Sequence, residues 1–332
     1  MLFKLTNEQR MIRAMAREFA RKEVAPTAAE RDRTKAYPSE NLAKLGDLGF
    51  LGMMVPTEYD GEGADTVSYA LALAEIAAAC ASTAVIMSVH NSIVCQSILR
   101  FGSKNQKETY LRPLARGEFI GAFALTEPHA GSDPVSQDTT AVRQGNHYIL
   151  NGTKRFITSG RYSGLVIVTA KTDPDARHKG ISAFIVPKDT PGLAVGHEED
   201  KMGLRASDTT DLLFEECRVP AANLLGREGQ GFKIAMTALD GGRIGIAAQS
   251  LGVAQAAFEA AVKYVKNRAQ FGQKVSKFQG VRWMVADMAT QIEAARQLML
   301  SAAAMKDRGE NFTQRASMAK LFASEMVNQV TA

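Results

Sequence analysis

The spacing of apolar residues changes twice along this chain of 332 residues, and this change constrains the fold most. Up to about residue 118 the apolar positions recur every three or four residues, as in amphipathic helices. Between residues 119 and 228 short runs alternate with a period of two, separated by Gly, Pro and Asn-Gly turn signals typical of strands. From residue 229 the helical spacing returns and continues to Ala332.

This order predicts a multi-domain α+β fold with an N-terminal all-α domain (1–118), a middle β domain (119–228) and a C-terminal helical bundle (229–332). The strands follow one another without helices between them, so we expect the middle domain to be an antiparallel β-barrel. Long neighbouring amphipathic helices predict an antiparallel bundle. The pattern at the end has no Gly or Pro stop signal, so we expect the bundle to be truncated there.

Two capping boxes predict where helices begin. Thr6 is followed by Gln9, and Ser103 is followed by Gln106, each at the spacing in which both residues cap the helix N-terminus. The predicted strands are the following runs: Ile120–Thr126, His147–Asn151, Leu165–Lys171, Ile181–Pro187, Leu193–His197 and Leu212–Phe214.

Composition and charge exclude several classes of protein. Hydrophobic residues make up 45% and charged residues 23%, which excludes intrinsic disorder. The net charge is +5, and its excess lies in 229–332, where 13 basic residues face 7 acidic ones. A diffuse excess of this size fits phosphate-bearing small ligands better than nucleic acid.

The three cysteines have no CxxC spacing, and the five histidines lack metal-ligand spacing, so we expect no disulfide framework and no metal site. The longest apolar run, Ala77–Val89, is too short to span a bilayer, and Met1–Arg10 lacks a signal sequence. These features predict a soluble intracellular protein. The motifs GxGxxG, GxxxxGK[ST], HExxH and GxSxG are absent from the sequence.

Two segments of the β region have the residues to bind a flat polar ring. In Phe123–Asp133 a strand leads into a Gly-Ser-Asp turn, whose N–H groups and hydroxyl could hold phosphate or a ring edge. The alternative is a local turn in which Asp133 bonds its own backbone. In Asn151–Gly160 an aromatic side chain beside a hydroxyl could cover and bond a heterocycle, and the alternative is a solvated hairpin.

Two further segments lie at the ends of the first long C-terminal helix. Gly241 and Gly242 inside a helix predict a close approach of backbone or ligand, and Arg243 could pair with Asp240 or clamp a phosphate or carbonyl. Arg268–Gly272 combines an arginine, an amide and an aromatic residue, which could bind a ligand or could satisfy the last helix carbonyls.

Together these segments resemble the acyl-CoA dehydrogenase family, most closely its short-chain (butyryl-CoA) branch. The resemblance covers essentially the whole chain and rests on the following stretches: FALTEPHAGSD (123–133), NGTKRFITS (151–159), GISAFIV (180–186), DGGR (240–243) and RAQFG (268–272). It implies FAD, an acyl-CoA substrate, electron-transfer flavoprotein as electron acceptor and a homotetramer built as a dimer of dimers. It also implies a bacterial cytoplasmic protein, or a mitochondrial matrix protein if the chain is a processed eukaryotic one.

The resemblance also implies roles for residues. Those placed at FAD are Phe123, Leu125, Thr126, Gly131, Ser132, Phe156, Ile157, Thr158, Arg268, Gln270, Phe271 and Gln279, the last four reaching the FAD of a neighbouring subunit. Ser132, Asp240 and Arg243 match substrate-binding positions. Phe156 stands where tryptophan is more common in the family.

The expected catalytic base departs from the family pattern. The short-chain branch has a glutamate in a C-terminal Tyr-Glu-Gly segment, which this sequence lacks, and other branches have it at the position of Gly242. The leading hypothesis is FAD-dependent α,β-dehydrogenation of a short-chain acyl-CoA to the trans-2-enoyl-CoA. The alternatives are a catalytically inert flavin or acyl-CoA binding protein, an acyl-CoA oxidase, and a helical scaffold without a cofactor.

Overall fold

A computed structural model describes residues 4–332, and helices fill its N-terminal part. These helices are α1 (Asn7–Phe19), α2 (Ala25–Thr34), α3 (Ser39–Asp47), α4 (Thr66–Ala79), α5 (Ala81–Ser88), α6 (Gln96–Phe101), α7 (Lys104–Gln106) and α8 (Arg112–Ala115). Both predicted capping boxes are confirmed. The Gln9 N–H donates to the Thr6 hydroxyl over 3.1 Å, and the Gln106 N–H donates to the Ser103 hydroxyl over 3.2 Å.

A nearly continuous helical stretch, Ala81–Phe101, is long and apolar enough to cross a membrane by length and composition, but 72% of it is buried within the protein. A buried polar residue of this stretch, His90, hydrogen-bonds to the backbone of neighbouring segments. The N–H of Gly121 donates to Nδ1 of His90 over 3.1 Å, and Nε2 of His90 lies 3.0 Å from the Leu114 carbonyl oxygen. His90 is therefore a neutral ring with its proton on Nε2, and burial lowers its pKa to about 4. The burial of Ala81–Phe101 is typical of a helix in a protein core.

The strands form one sheet of eight plus a short hairpin. They are β1 (Ile120–Ala124), β2 (Thr140–Gln144), β3 (His147–Thr158), β4 (Ser163–Lys171), β5 (Ile181–Pro187), β6 (Leu193–Glu198), β7 (Thr209–Pro220), β8 (Leu224–Leu225), β9 (Ala269–Gln270) and β10 (Gln273–Lys274). The large sheet runs in the order β6-β7-β3-β2-β4-β5-β8, and β1 pairs with β4.

The prediction of a purely antiparallel barrel is wrong. β1 pairs with β4 in parallel, and β2 meets β4 in parallel at Thr140 and Lys171, so the sheet is mixed. Within residues 4–332 no pairing joins β6 to β8, so hydrogen bonds do not close the sheet into a barrel. Parallel pairing arises because the chain returns to β4 through the β2–β3 hairpin, which alternating strand patterns alone do not reveal.

The Asn-Gly turn signal in the middle of the chain is also wrong. Asn151 and Gly152 lie inside β3, which continues to Thr158 instead of ending at Asn151. The register between β3 and β7 shifts between Leu150 and Gly152. A Cβ at Gly152 would lie 2.7 Å from the Thr139 Cα, so the glycine here allows two backbones to approach closely.

The C-terminal part is helical, as the sequence predicts: α9 (Gly231–Asn267), α10 (Gln279–Asp307) and α11 (Thr313–Thr331). Contacts divide the chain into two compact units. The first comprises residues 4–29, Asp65–Val85 and Arg243–Ala332, and the second comprises Glu30–Ala64 and Ile86–Gly242. The three-domain division at 118 and 228 stays a prediction.

Each unit has its own interior. In the first unit α1, α4, α10 and α11 pack together, and the Asp307 carboxylate accepts hydrogen bonds from the N–H groups of Thr66 (2.7 Å) and Val67 (3.2 Å) at the start of α4. In the second unit the sheet buries apolar side chains on both faces, and β1 packs against the helical turn Val89–Cys95.

Candidate functional site

The end of β1 and the second half of β3 lie side by side in the second unit. The Arg155 N–H donates to the Thr126 carbonyl over 2.8 Å, and the Lys154 ammonium donates to the Leu125 carbonyl over 3.1 Å. Two segments that are separate in the sequence, and that were each predicted to bind a flat ring, are therefore joined by direct hydrogen bonds.

Phe156 is the most unusual residue of this junction. The register between β3 and β7 shifts between Lys154 and Ile157, and in this bulge Phe156 has φ of +60°. Its ring is 56% exposed, with the Arg155 guanidinium 5.8 Å from the ring centroid. Ile157 is buried in the core. A bulge that turns a large aromatic ring toward solvent with strained backbone is a feature of binding sites.

The Gly-Ser-Asp turn follows β1. Gly131, Ser132 and Asp133 are exposed, and a Cβ at Gly131 would meet no atom within 4 Å. The Asp133 carboxylate accepts hydrogen bonds from the Val135 N–H (3.2 Å) and the Ser136 hydroxyl (2.5 Å). The local-turn alternative for Asp133 is thus confirmed, while Gly131 and Ser132 remain open to a ligand. Ser136 is the main cause that lowers the pKa of Asp133.

An open pocket of about 640 Å³ adjoins this turn. Its charged and polar lining comes from Asp133, Ser136, Lys171, Arg177, His178 and Lys179. Lys171, Arg177 and Lys179 bring positive charge to this pocket, which suits an anionic group. The sequence analysis missed this pocket, although the Arg-His-Lys run at 177–179 was a signal for it.

A cluster that the sequence analysis also missed follows Thr158 directly. Ser159 has φ of +61°, its N–H donates to the Asp208 carbonyl over 3.2 Å, and its hydroxyl accepts from the Tyr37 hydroxyl over 3.1 Å. The Tyr37 ring stacks on Tyr162 at 4.1 Å. The Asp208 carboxylate accepts from the Arg161 N–H over 2.9 Å, and burial raises its pKa to about 6. This cluster fixes the backbone at the end of β3.

In the first unit, residues 268–279 form a separate exposed feature. The β9–β10 hairpin turns at Phe271 and Gly272, which both have positive φ (51° and 74°), as a type I′ turn requires. Phe271 is 91% exposed, with its ring 6.1 Å from that of Phe278. Arg268, Gln270 and Gln279 are exposed as well, so the structure brings these four predicted residues onto one surface.

Helix α9 carries the remaining predicted residues. Asp240 and Arg243 are half-buried, and Gly242 is buried. A Cβ at Gly242 would lie 3.2 Å from the Ile93 Cδ1, so the close neighbour is a side chain, whereas the sequence predicts the approach of a backbone or a ligand. Among residues 4–332, no group of three or more His, Cys, Asp or Glu side chains is placed to hold a metal ion.

Comparison with family models accounts for nearly the whole chain. Residues 6–118 match the acyl-CoA dehydrogenase N-terminal domain, residues 122–217 the middle domain and residues 229–332 the C-terminal domain. The chain belongs to the acyl-CoA dehydrogenase family. The predicted family resemblance is therefore confirmed.

Individual relatives agree with this assignment. The short-chain specific acyl-CoA dehydrogenase of Clostridium acetobutylicum is 49% identical over 99% of this chain and 87% of that protein. The structure of butyryl-CoA dehydrogenase from Megasphaera elsdenii superposes with a TM-score of 0.97 at 45% identity, covering 99% of this chain and 87% of that one. A chain from structural work on the electron transferring flavoprotein of Acidaminococcus fermentans has a TM-score of 0.98 at 50% identity, with the same coverage.

The structure brings together Thr126, Phe156 and the residues bonded to them. Gln270 and Phe271 lie on the β9–β10 hairpin, Arg268 directly precedes it, and Gln279 is the first residue of α10. The roles of these residues stay predictions. Phe123 and Leu125 are half-buried at the end of β1, which limits how much of each can touch a ligand.

Proposed function

We propose that this protein is an FAD-dependent enzyme that dehydrogenates a short-chain acyl-CoA thioester to the trans-2-enoyl-CoA and passes the electrons to electron-transfer flavoprotein. The observation that carries the proposal is the set of hydrogen bonds that join the end of β1 to β3 in a member of the acyl-CoA dehydrogenase family. The short-chain relative and the butyryl-CoA dehydrogenase support the substrate class, and the neighbour from work on an electron transferring flavoprotein supports the acceptor.

The residues present fit a flavin. An isoalloxazine ring needs an apolar cover for its face and hydrogen-bonding groups at its edge. Phe156 offers an exposed ring, and the hydroxyls of Thr126 and Thr158 make no hydrogen bond within residues 4–332. Gly131 leaves open space beside the exposed Ser132 for the rest of the cofactor. We infer that Phe156 and Thr158 hold the ring and that Thr126, Gly131 and Ser132 hold its edge and side chain.

When bound, FAD supplies the acceptor for the hydride that leaves the β carbon of the thioester. The chain's own task is to orient the acyl group and to exclude water, so that hydrogen bonds to the thioester carbonyl make the α C–H acidic. We infer that Ser132, Asp240 and Arg243 contact the substrate. The basic pocket at Lys171 and Arg177 suits the phosphates of coenzyme A.

The proton-accepting role is assigned to no residue of this sequence. Gly242, the alternative position, has no side chain and packs against Ile93. Dehydrogenation therefore has to be distinguished by experiment from inert binding of flavin and acyl-CoA. The protein is expressed from its gene, loaded with FAD and mixed anaerobically with butyryl-CoA.

Loss of the visible flavin absorbance, with formation of an enoyl-CoA two hydrogens lighter than butyryl-CoA, is the expected result. Failure to bind FAD would refute the proposal and favour a helical scaffold. A perturbed but unbleached spectrum with C4–C8 acyl-CoA thioesters would favour an inert binding protein. Rapid reoxidation of the reduced flavin by oxygen, instead of by electron-transfer flavoprotein, would identify an oxidase.

We also propose a homotetramer, built as a dimer of dimers, in which Arg268, Gln270, Phe271 and Gln279 reach the FAD of a neighbouring subunit. The support is the number of large apolar side chains that the first unit exposes: Tyr264 (61% exposed), Phe271 (91%), Trp283 (61%), Met284 (65%) and Leu321 (63%). Burying such side chains against another subunit would remove their apolar surface from water. Light scattering that gave a monomer mass for the FAD-loaded protein would contradict this.

The proposal extends to domain organisation and location. We infer three domains at 1–118, 119–228 and 229–332, which the three matched family models support. The inferred location is the bacterial cytoplasm, or the mitochondrial matrix for a processed eukaryotic chain. Within residues 4–332, Ala81–Phe101 is the only helix long and apolar enough to cross a membrane, and it is mostly buried.

A further inference from the structure

A buried ion pair lies directly behind the proposed flavin-binding loop. The Lys154 ammonium is 2.7 Å from the Glu127 Oε1, and the side chains are 0% and 3% exposed. Lys154 also donates to the Leu125 carbonyl (3.1 Å), to the Gln137 Oε1 (3.0 Å) and, at a longer distance, to the Thr169 Oγ1 (3.4 Å). Neither charged group reaches the surface, so neither can contact a ligand.

The pair holds both ends of the loop between residues 125 and 139. Lys154 binds Leu125 at the start of the loop and Gln137 near its end. Glu127 accepts hydrogen bonds from the N–H groups of Asp138 and Thr139, the second over 3.1 Å. The exposed Gly131–Ser132 turn lies between these attachment points, so its position relative to β3 depends on the pair.

The same lysine lies beside the bulge of strand β3. Lys154 immediately precedes the bulge in which Arg155 bonds Thr126 and Phe156 turns outward. One cation therefore ties the Gly131–Ser132 turn to the aromatic residue proposed to cover the ring. Burial lowers the pKa of Lys154 to about 8, against the opposing effect of the Glu127 charge. Burial would raise the pKa of Glu127, but Lys154 and the two N–H groups keep it below its ordinary value.

We propose that Lys154 and Glu127 are positioning residues that hold the loop 125–139 in the conformation that binds FAD. This inference rests on the proposed function. A buried ion pair is a poor source of net stability, because the cost of desolvating two charges offsets their attraction. An apolar pair would fill the space at similar cost but could not bond both ends of the loop. The hydrogen bonds that the pair makes to the loop therefore explain why charged residues lie here, whereas a gain in stability does not.

The test compares FAD binding with stability in the apoprotein and in the FAD-loaded protein. The variants are Lys154→Met, Glu127→Gln and the double variant, with Asn223→Ala as the control. Asn223 is a buried residue of the same unit whose amide donates to the Ile185 carbonyl over 2.9 Å, and none of its hydrogen bonds involves the loop. Each protein is titrated with FAD, its thermal unfolding is measured without FAD, and the visible circular dichroism of bound FAD is recorded.

For Lys154→Met and for the double variant we expect the FAD dissociation constant to rise about tenfold to a hundredfold, as when residues that orient a binding group are lost. The visible circular dichroism should change shape, because the ring is held differently. Asn223→Ala should lower the unfolding temperature while leaving the dissociation constant within about twofold of the parent, since distant sites act independently.

Glu127→Gln keeps an oxygen for the two N–H groups and keeps the shape of the side chain, so it tests the pair if Lys154→Met does not fold. It should weaken FAD binding less than Lys154→Met but change the circular dichroism in the same sense. Two outcomes overturn the inference: variants that bind FAD like the parent with an unchanged spectrum, or losses of affinity that only track the unfolding temperature, as in the control. A parent protein that binds no FAD would instead refute the proposed function.

Discussion

Phe156 combines two properties that substitutions can separate. Its backbone lies in the left-handed region at φ of +60°, and its ring is 56% exposed. For a residue with a Cβ, the left-handed conformation costs about 1–2 kcal/mol, whereas glycine adopts it at almost no steric cost. The exposed ring contributes little to the core of the apoprotein. The residue is therefore unfavourable in the absence of a ligand.

The informative pair of variants is Phe156→Ala and Phe156→Gly. Both remove the ring, but only glycine also removes the strain of the left-handed backbone. Part of that gain in stability is offset because glycine gives the unfolded chain more conformational freedom. We expect the glycine variant of the apoprotein to be more stable than the alanine variant by about 0.5–1 kcal/mol. Both should bind FAD about fivefold to tenfold more weakly, since an aromatic stacking contact contributes about 1 kcal/mol.

Urea unfolding of the apoproteins and FAD titration measure the two quantities separately. The matched control is Val142, which is 57% exposed in strand β2 and is not among the residues with positive φ. There the glycine variant should be the less stable one, because glycine weakens a regular strand. If glycine were also the less stable variant at position 156, or if FAD affinity did not change, the reasoning about Phe156 would be refuted.

Three further predictions concern stability. The pKa of buried His90 is lowered to about 4, so the unfolded chain binds the proton more strongly than the folded one. The free energy of unfolding should therefore fall by up to about 3 kcal/mol as the pH drops from 6.5 to 4. Urea unfolding of His90→Gln should lack this dependence on pH. The pKa of Asp208 is raised to about 6, so its contribution to the free energy of unfolding has the opposite sign and is lost as the pH rises from about 4 to 6. Thermal unfolding at about pH 8 should show Asp208→Asn to be more stable than the parent by up to about 3 kcal/mol. A less stable variant would contradict this. Gly152→Ala should cost about 1–3 kcal/mol because its Cβ would meet Thr139, whereas Gly131→Ala, with open space around it, should leave thermal unfolding of the apoprotein nearly unchanged.

The features that the sequence predicts well are those set by neighbouring residues. The capping boxes at Thr6 and Ser103 depend on side chains three positions apart, and both form. The sequence of helices, strands and helices follows from spacing within single elements. In each case the interaction that decides the structure lies within one turn or one strand.

Long-range pairing is what the sequence left undetermined. The parallel contact of β1 with β4 joins Gly121 to Leu165, and no local pattern distinguishes it from an antiparallel one. Asn151-Gly152 has the composition of a turn, but the close approach of Thr139 makes it part of a strand. No local pattern reveals the burial of Lys154, because that burial depends on a carboxylate 27 positions away.

The positive-φ residues connect the fold with the proposed chemistry. Phe156 and Ser159 lie on either side of Thr158, and Phe271 forms the hairpin tip, so strained backbone occurs in two of the three segments that the family resemblance places at FAD. Such strain persists only where surrounding contacts determine the backbone. At Ser159 those contacts are the Asp208 carbonyl and the Tyr37 hydroxyl, and at Phe156 they are the Arg155–Thr126 hydrogen bond and the buried Lys154. Contacts within the chain itself therefore hold these residues in backbone conformations that their local sequence disfavours.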